Sequence, residues 1–130
     1  MKRSEPDSPD EVRRVITRVF EEVWNQGQVE VADDIFVEGQ IGHAGNGTEM
    51  TVQSLKETVL QQRSISPQLR YVVDQFVIEG VWVATRWTGT GIGRDDGSTV
   101  SRWGMTMWRM EGSKIAEAWV LTSETPPSRH

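Results

Sequence analysis

An α+β domain, with three helices ahead of one strongly curved antiparallel sheet, is predicted by a single change of period along the chain. Apolar residues recur at helical spacing up to about residue 63 and in alternation from residue 69 to 124. The alternating half is punctuated by Gly80, by "RDDG" at 94–97 and by "EGS" at 111–113, the connections of a meander of hairpins. A sheet with that much twist cannot lie flat along a helix, so a pocket is expected between the two layers at the wide end.

Residues 1–8 are polar and read as a flexible tail ahead of a single domain at 9–124. Ser8 can cap a first helix, with Pro9 at its first position and Glu11 at capping-box spacing. Val12, Val15, Ile16, Val19, Phe20, Val23 and Trp24 then draw one apolar stripe, which "NQG" at 25–27 stops. A shorter helix is expected over 29–36. "QIGHAGNGTE" at 40–49 is too Gly-rich for a helix and reads as a brief strand at 41–43 opening into a loop. A third helix is expected over 51–63, capped by Thr51.

Four strands follow, at 69–79, 81–91, 98–110 and 114–124. On the third of these, Trp103, Met105 and Met107 share one face and Arg102, Gly104, Thr106 and Trp108 the other, and either face could line the pocket. On the fourth, alternation puts Ile115, Glu117, Trp119, Leu121 and Ser123 together. Residues 125–130, ending in His130, read as a second flexible tail.

Composition excludes several functions. With no cysteine among 130 residues there is no disulfide or thiolate chemistry, and a cytoplasmic location is the default. A net charge of −5 and scattered Lys and Arg residues argue against nucleic acid. No apolar run approaches the roughly 18 residues of a membrane span, and the first ten residues are charged where a signal peptide would be apolar. Two distant histidines do not form a metal centre, and neither a phosphate-binding nor a dinucleotide-binding glycine loop is present. Six tryptophans against three phenylalanines and one tyrosine supply flat apolar walls for a core or a ligand cavity.

Three stretches carry a family resemblance: "VRRVITRVFEEVWNQG" (12–27), "VWVATRWTGTG" (81–91) and "SRWGMTMWRMEGSKIAEAWV" (101–120). Together with a short His-bearing segment between the first two, they resemble the SnoaL-like polyketide cyclases of the nuclear transport factor 2-like superfamily, over about residues 9–124. The resemblance implies a cone-shaped nuclear transport factor 2-like fold, no cofactor, and pairing as a homodimer through the outer sheet face. It also implies either acid/base chemistry of the cyclase or isomerase type, or a non-catalytic ligand-binding or dimerising scaffold. In the resembled cyclases an Asp commonly lies four residues beyond the Trp of the last strand, and here that position is Ser123.

The expected partner is an apolar or aromatic small molecule bearing a carbonyl. His43 is the candidate acid/base group: it falls where isomerases resembling this fold carry their base, and Gly42, Gly45 and Gly47 would let a substrate approach. The alternative is a histidine on a surface loop. Glu117, flanked by alanines, is either a second catalytic group polarising the substrate or one half of a salt bridge with Arg86 or Arg102. Trp24, Trp103, Met105 and Trp119 are the expected substrate-binding walls, with Arg86 and Ser123 as polar contacts.

Overall fold

The computed structural model describes residues 8–94 and 96–124, and both expected tails, with His130, otherwise lie outside the described residues. Helix α1 (Pro9–Arg18) starts as its sequence dictates: the Ser8 hydroxyl accepts from the Glu11 amide at 3.1 Å, with Pro9 in the first turn. It continues into a π-helical turn, Val19–Trp24, closed by the Asn25 amide donating to the Phe20 carbonyl at 2.9 Å. The expected second helix is a 3₁₀ turn, Val29–Val31, followed by the single-turn α2 (Ala32–Ile35). Helix α3 (Val52–Ile65) is capped reciprocally, Thr51 accepting from the Ser54 amide at 3.1 Å and Ser54 from the Thr51 amide at 2.8 Å. No helix of the described residues is long and apolar enough to cross a membrane.

The sheet has six strands, β1 (Gln40–Ala44), β2 (Glu49–Thr51), β3 (Arg70–Glu79), β4 (Trp82–Gly93), β5 (Thr99–Glu111) and β6 (Lys114–Glu124), in the order β2-β1-β6-β5-β4-β3. All neighbours are antiparallel except β1 and β6, which run parallel. The segment that read as a brief strand and a loop is therefore a short hairpin that extends the sheet at its edge. Its pairing with a strand 76 residues downstream, Gly42 opposite Ala118 among others, leaves no local signature.

Register shifts between Val73 and Gln75, Gly89 and Ile92, and Arg109 and Met110 bend the long strands. The last shift corrects an expectation. The extra residue at Ala116 breaks the alternation, so Ile115 turns into the core at 0% exposure while Glu117, Trp119, Leu121 and Ser123 keep the outer face.

The core lies between the concave sheet face and the helices, where Val12, Ile16, Phe20 and Val23 meet Val83, Trp87, Trp108 and Ile115. Asn25, from "NQG", acts as a one-residue strand partner: its side chain donates to the Tyr71 carbonyl at 2.8 Å and accepts from the Tyr71 amide at 2.7 Å. Two glycines bring aromatic rings flat onto the sheet. A Cβ at Gly89 would overlap the Tyr71 ring, and one at Gly104 would overlap both the Trp87 indole and the Leu121 carbonyl.

Gly104→Ala should therefore lower stability by about 1–3 kcal/mol through overpacking, read as a lower urea midpoint. A midpoint equal to that of the parent would show that Trp87 does not depend on this seat.

Candidate functional site

A cavity of about 170 Å³ opens between the helices and the concave sheet face. Trp24 reaches it from the π-helical turn, Tyr71 from β3, Trp87 from β4, and Arg102, Thr106 and Trp108 from β5. The ring centroids of Trp24 and Tyr71 lie 5.0 Å apart at 60°, and those of Tyr71 and Trp87 5.5 Å apart at 74°. Phe20 and Trp108 close another side edge to face, at 6.0 Å. The indole N–H groups of Trp87 and Trp108 are spent inside the wall. Trp87 Nε1 donates to Thr106 Oγ1 and Trp108 Nε1 to Thr85 Oγ1, both at 2.9 Å, and the Thr85 hydroxyl donates onward to the Thr106 carbonyl at 3.3 Å. Ring faces are thus what the cavity sees of these two tryptophans.

Its polar side chains include Tyr71, Arg102, Thr106 and Thr122. Burial pushes the Tyr71 phenol above its ordinary value of 10.0, while the charge of Arg102 and a hydrogen bond from it pull in the other direction. At neutral pH the phenol keeps its proton. No Asp, Glu or His is among the described residues lining this cavity. The face of β5 that the sequence left undecided is now assigned: Arg102, Thr106 and Trp108 point to the cavity and Trp103, Met105 and Met107 away from it.

His43 and Glu117 do come together, on the opposite face of the sheet. Parallel pairing of β1 with β6 sets His43 beside Trp119, the rings stacked at 5.4 Å and 19°, and leaves Gly42 to line the cavity. His43 Nε2 lies 2.6 Å from Glu117 Oε2, and Glu49 Oε2 lies 3.9 Å from His43 Nδ1. Arg109, directly across from Glu117 on β5, donates to its Oε1 at 3.0 Å. The carboxyl of Glu117 is held below its ordinary value of 4.5, first by the hydrogen bond from His43 and then by that from Arg109, with desolvation opposing both. A carboxylate so held only accepts, so Nε2 of His43 is the protonated nitrogen.

The salt bridge expected with Arg86 or Arg102 is thus made with Arg109, because register places that guanidinium opposite. Arg86 instead lies 3.5 Å from Asp74 and 5.8 Å from the centroid of Trp103, also on the outer face. Of the expected substrate contacts, Trp24 lines the cavity, whereas Arg86, Trp103, Met105, Trp119 and Ser123 belong to the outer face. There His43, Met105, Met107, Trp119 and Leu121 border an open depression of about 480 Å³. Tyr71, Trp87, Arg102 and Thr106 were not read as site residues from the sequence. A usable signal existed in the two glycines, Gly89 and Gly104, that interrupt the same strand faces. Among the described residues no group of three or more His, Cys, Asp or Glu side chains is placed to hold a metal ion.

The model of the SnoaL-like domain family matches residues 9–118. The chain belongs to the SnoaL-like domain family. Solved structures similar to this SnoaL-like domain include a proposed SnoaL-like polyketide cyclase from Jannaschia sp. CCS1, at 19% identity and a TM-score of 0.76 over 89% of each chain. Wild-type IdmH, a proposed polyketide cyclase from Streptomyces antibioticus, matches at 20% identity and a TM-score of 0.75, over 86% of this chain and 91% of that one. A proposed polyketide cyclase from Acidithiobacillus ferrooxidans matches at 21% and 0.72, over 87% and 88%. At these identities the likeness shows the nuclear transport factor 2-like fold. Among curated proteins no sequence match is found.

The outer-face cluster makes this SnoaL-like domain sensitive to acid. A carboxyl depressed on folding adds stability above its ordinary value, 4.5 here, and that stability is lost as pH falls through the lower folded value. Glu117→Gln should be less stable than the parent at neutral pH, with the difference shrinking below about pH 4, measured by urea unfolding across pH. A difference that is the same at both ends would remove the ionised Glu117 from the cluster's energetics.

Proposed function

We propose that this SnoaL-like domain is a small-molecule protein of the cyclase or isomerase type, taking an apolar carbonyl compound into the cavity between sheet and helices. The observation that carries this reading is the pairing of Tyr71 and Arg102 on a mostly apolar wall that also carries Thr106 and Thr122. Two donors at one point hold a carbonyl oxygen and favour its enolate over its ketone form, because hydrogen bonds to a developing negative charge are the stronger ones. A C–H beside that carbonyl becomes more acidic, which is the entry to aldol cyclisation and to double-bond migration alike. The described wall offers no carboxylate or imidazole to take the proton, so the acceptor in this reading is water at the cavity mouth or a basic group on the substrate. His43 and Glu117 act from the other face, as an ion-pair cluster.

Tryptophan fluorescence titrated with an aromatic ketone tests the binding, and deuterium uptake at the carbon beside its carbonyl tests the chemistry. Tyr71→Phe should weaken binding about 5-fold and Arg102→Met about 10- to 100-fold, as expected for losing a neutral and a charged donor. Binding without deuterium uptake would leave a ligand carrier of the same fold, and binding unchanged by both substitutions would move the ligand elsewhere.

We also propose that a second copy of the chain covers the outer face. Trp82, Trp103, Met105, Met107 and Leu121 are exposed there at 40–66%, an apolar patch bordered by Arg86, Asp74 and the Glu117 cluster. A self-complementary patch with charges of both signs at its edge suits an isologous dimer. Leu121→Arg should convert a dimer to a monomer in sedimentation velocity, and a parent chain that sediments as a monomer would overturn the pairing.

A further inference from the structure

We infer that the cavity takes a single-ring compound with a hydrogen-bond-accepting oxygen and rejects fused polycyclic ketones. This rests on the ligand-binding reading above and goes beyond it by setting the size and polarity of the ligand.

Volume is the first argument. The cavity measures about 170 Å³. An apolar cavity of about 150 Å³ accommodates one benzene ring, whereas sites for drug-sized ligands start at about 300 Å³. One ring with a short polar substituent fills this space, and a second fused ring exceeds it.

Shape agrees. Tyr71 stands steeply to both neighbours, at 60° to Trp24 and 74° to Trp87, an end wall rather than an extension of either. The walls are also held from behind. Tyr71 rests on Gly89 and is pinned through its backbone by Asn25, while Trp87 rests on Gly104 and is tied to Thr106 through Nε1. Swinging Trp87 aside to admit a larger ligand would strand a buried N–H and a buried hydroxyl, at about 1–3 kcal/mol per unsatisfied group. Polarity sets the remaining requirement. With the Trp87 and Trp108 N–H groups already used, the Tyr71 hydroxyl, beside the charge of Arg102, donates to the ligand, which must present an acceptor there, a ketone, quinone or carboxylate oxygen.

The test is a homologous series on the intact chain: acetophenone, 2-acetylnaphthalene and 2-acetylanthracene, titrated by calorimetry and by saturation-transfer NMR. Burial of apolar area alone would make affinity rise with each ring. The cavity predicts the reverse, with acetophenone binding at least 10-fold tighter than the two-ring ketone and no saturating binding of the three-ring one. Tyr71→Phe should weaken acetophenone, which locates it in the cavity rather than in the outer depression. Trp24→Leu, which opens one wall at the π-helical turn, should narrow the gap between one and two rings. Affinity that climbs with ring number in the parent chain would overturn the size limit and leave carbonyl binding standing. Failure of all three ketones to bind would instead overturn the ligand-binding reading, and the size limit with it.

Discussion

One extra residue at Ala116 decides which side chains of the last strand meet the helices and which meet the outside. Before the bulge Ile115 is in the core, and after it Ala118, Val120 and Thr122 face the cavity while Glu117, Trp119 and Leu121 face away. Since a strand has a period of two, an offset of one residue inverts every assignment beyond it. β1 then inherits its facing from β6 by parallel pairing, which is how His43 comes to lie against Trp119. The separation of a mostly apolar cavity from an acid–base cluster on the opposite face follows from this single irregularity.

The cavity wall shows how tryptophan can be large, buried and specific together. Leaving an indole N–H unsatisfied in the interior costs about 1–3 kcal/mol. Thr85 and Thr106, inward-facing on neighbouring strands, remove that cost. Their hydroxyls are otherwise costly groups in a core, so indole and threonine justify one another. The rings are thus held at edge and face alike.

Much of the fold was legible because its signals are local. The Ser8 cap, the stop at "NQG", the Thr51 cap and the four long strands are each written within a few neighbouring residues, and the structure places them within one or two positions of the reading. The π-helical turn escaped, since its apolar stripe continues that of α1 without a break. Glu117 was read either as a catalytic group or as half of a salt bridge with Arg86 or Arg102; it is paired, but with Arg109. Arg86, Arg102 and Arg109 are equivalent on composition, and only the register of β5 against β6 singles out Arg109.

The sequence by itself determined the α+β class and the order of the main helices and the four long strands, because helical and strand periodicity and the caps depend on residues within about one turn of each other, and three of its stretches carried the family resemblance. Only the tertiary structure decided that Tyr71 and Arg102, rather than His43 and Glu117, point into the hollow. That choice depends on bulges and on a parallel pairing between segments some 75 residues apart, settled by which whole face of the sheet buries best against the helices. No run of residues read alone contains that comparison.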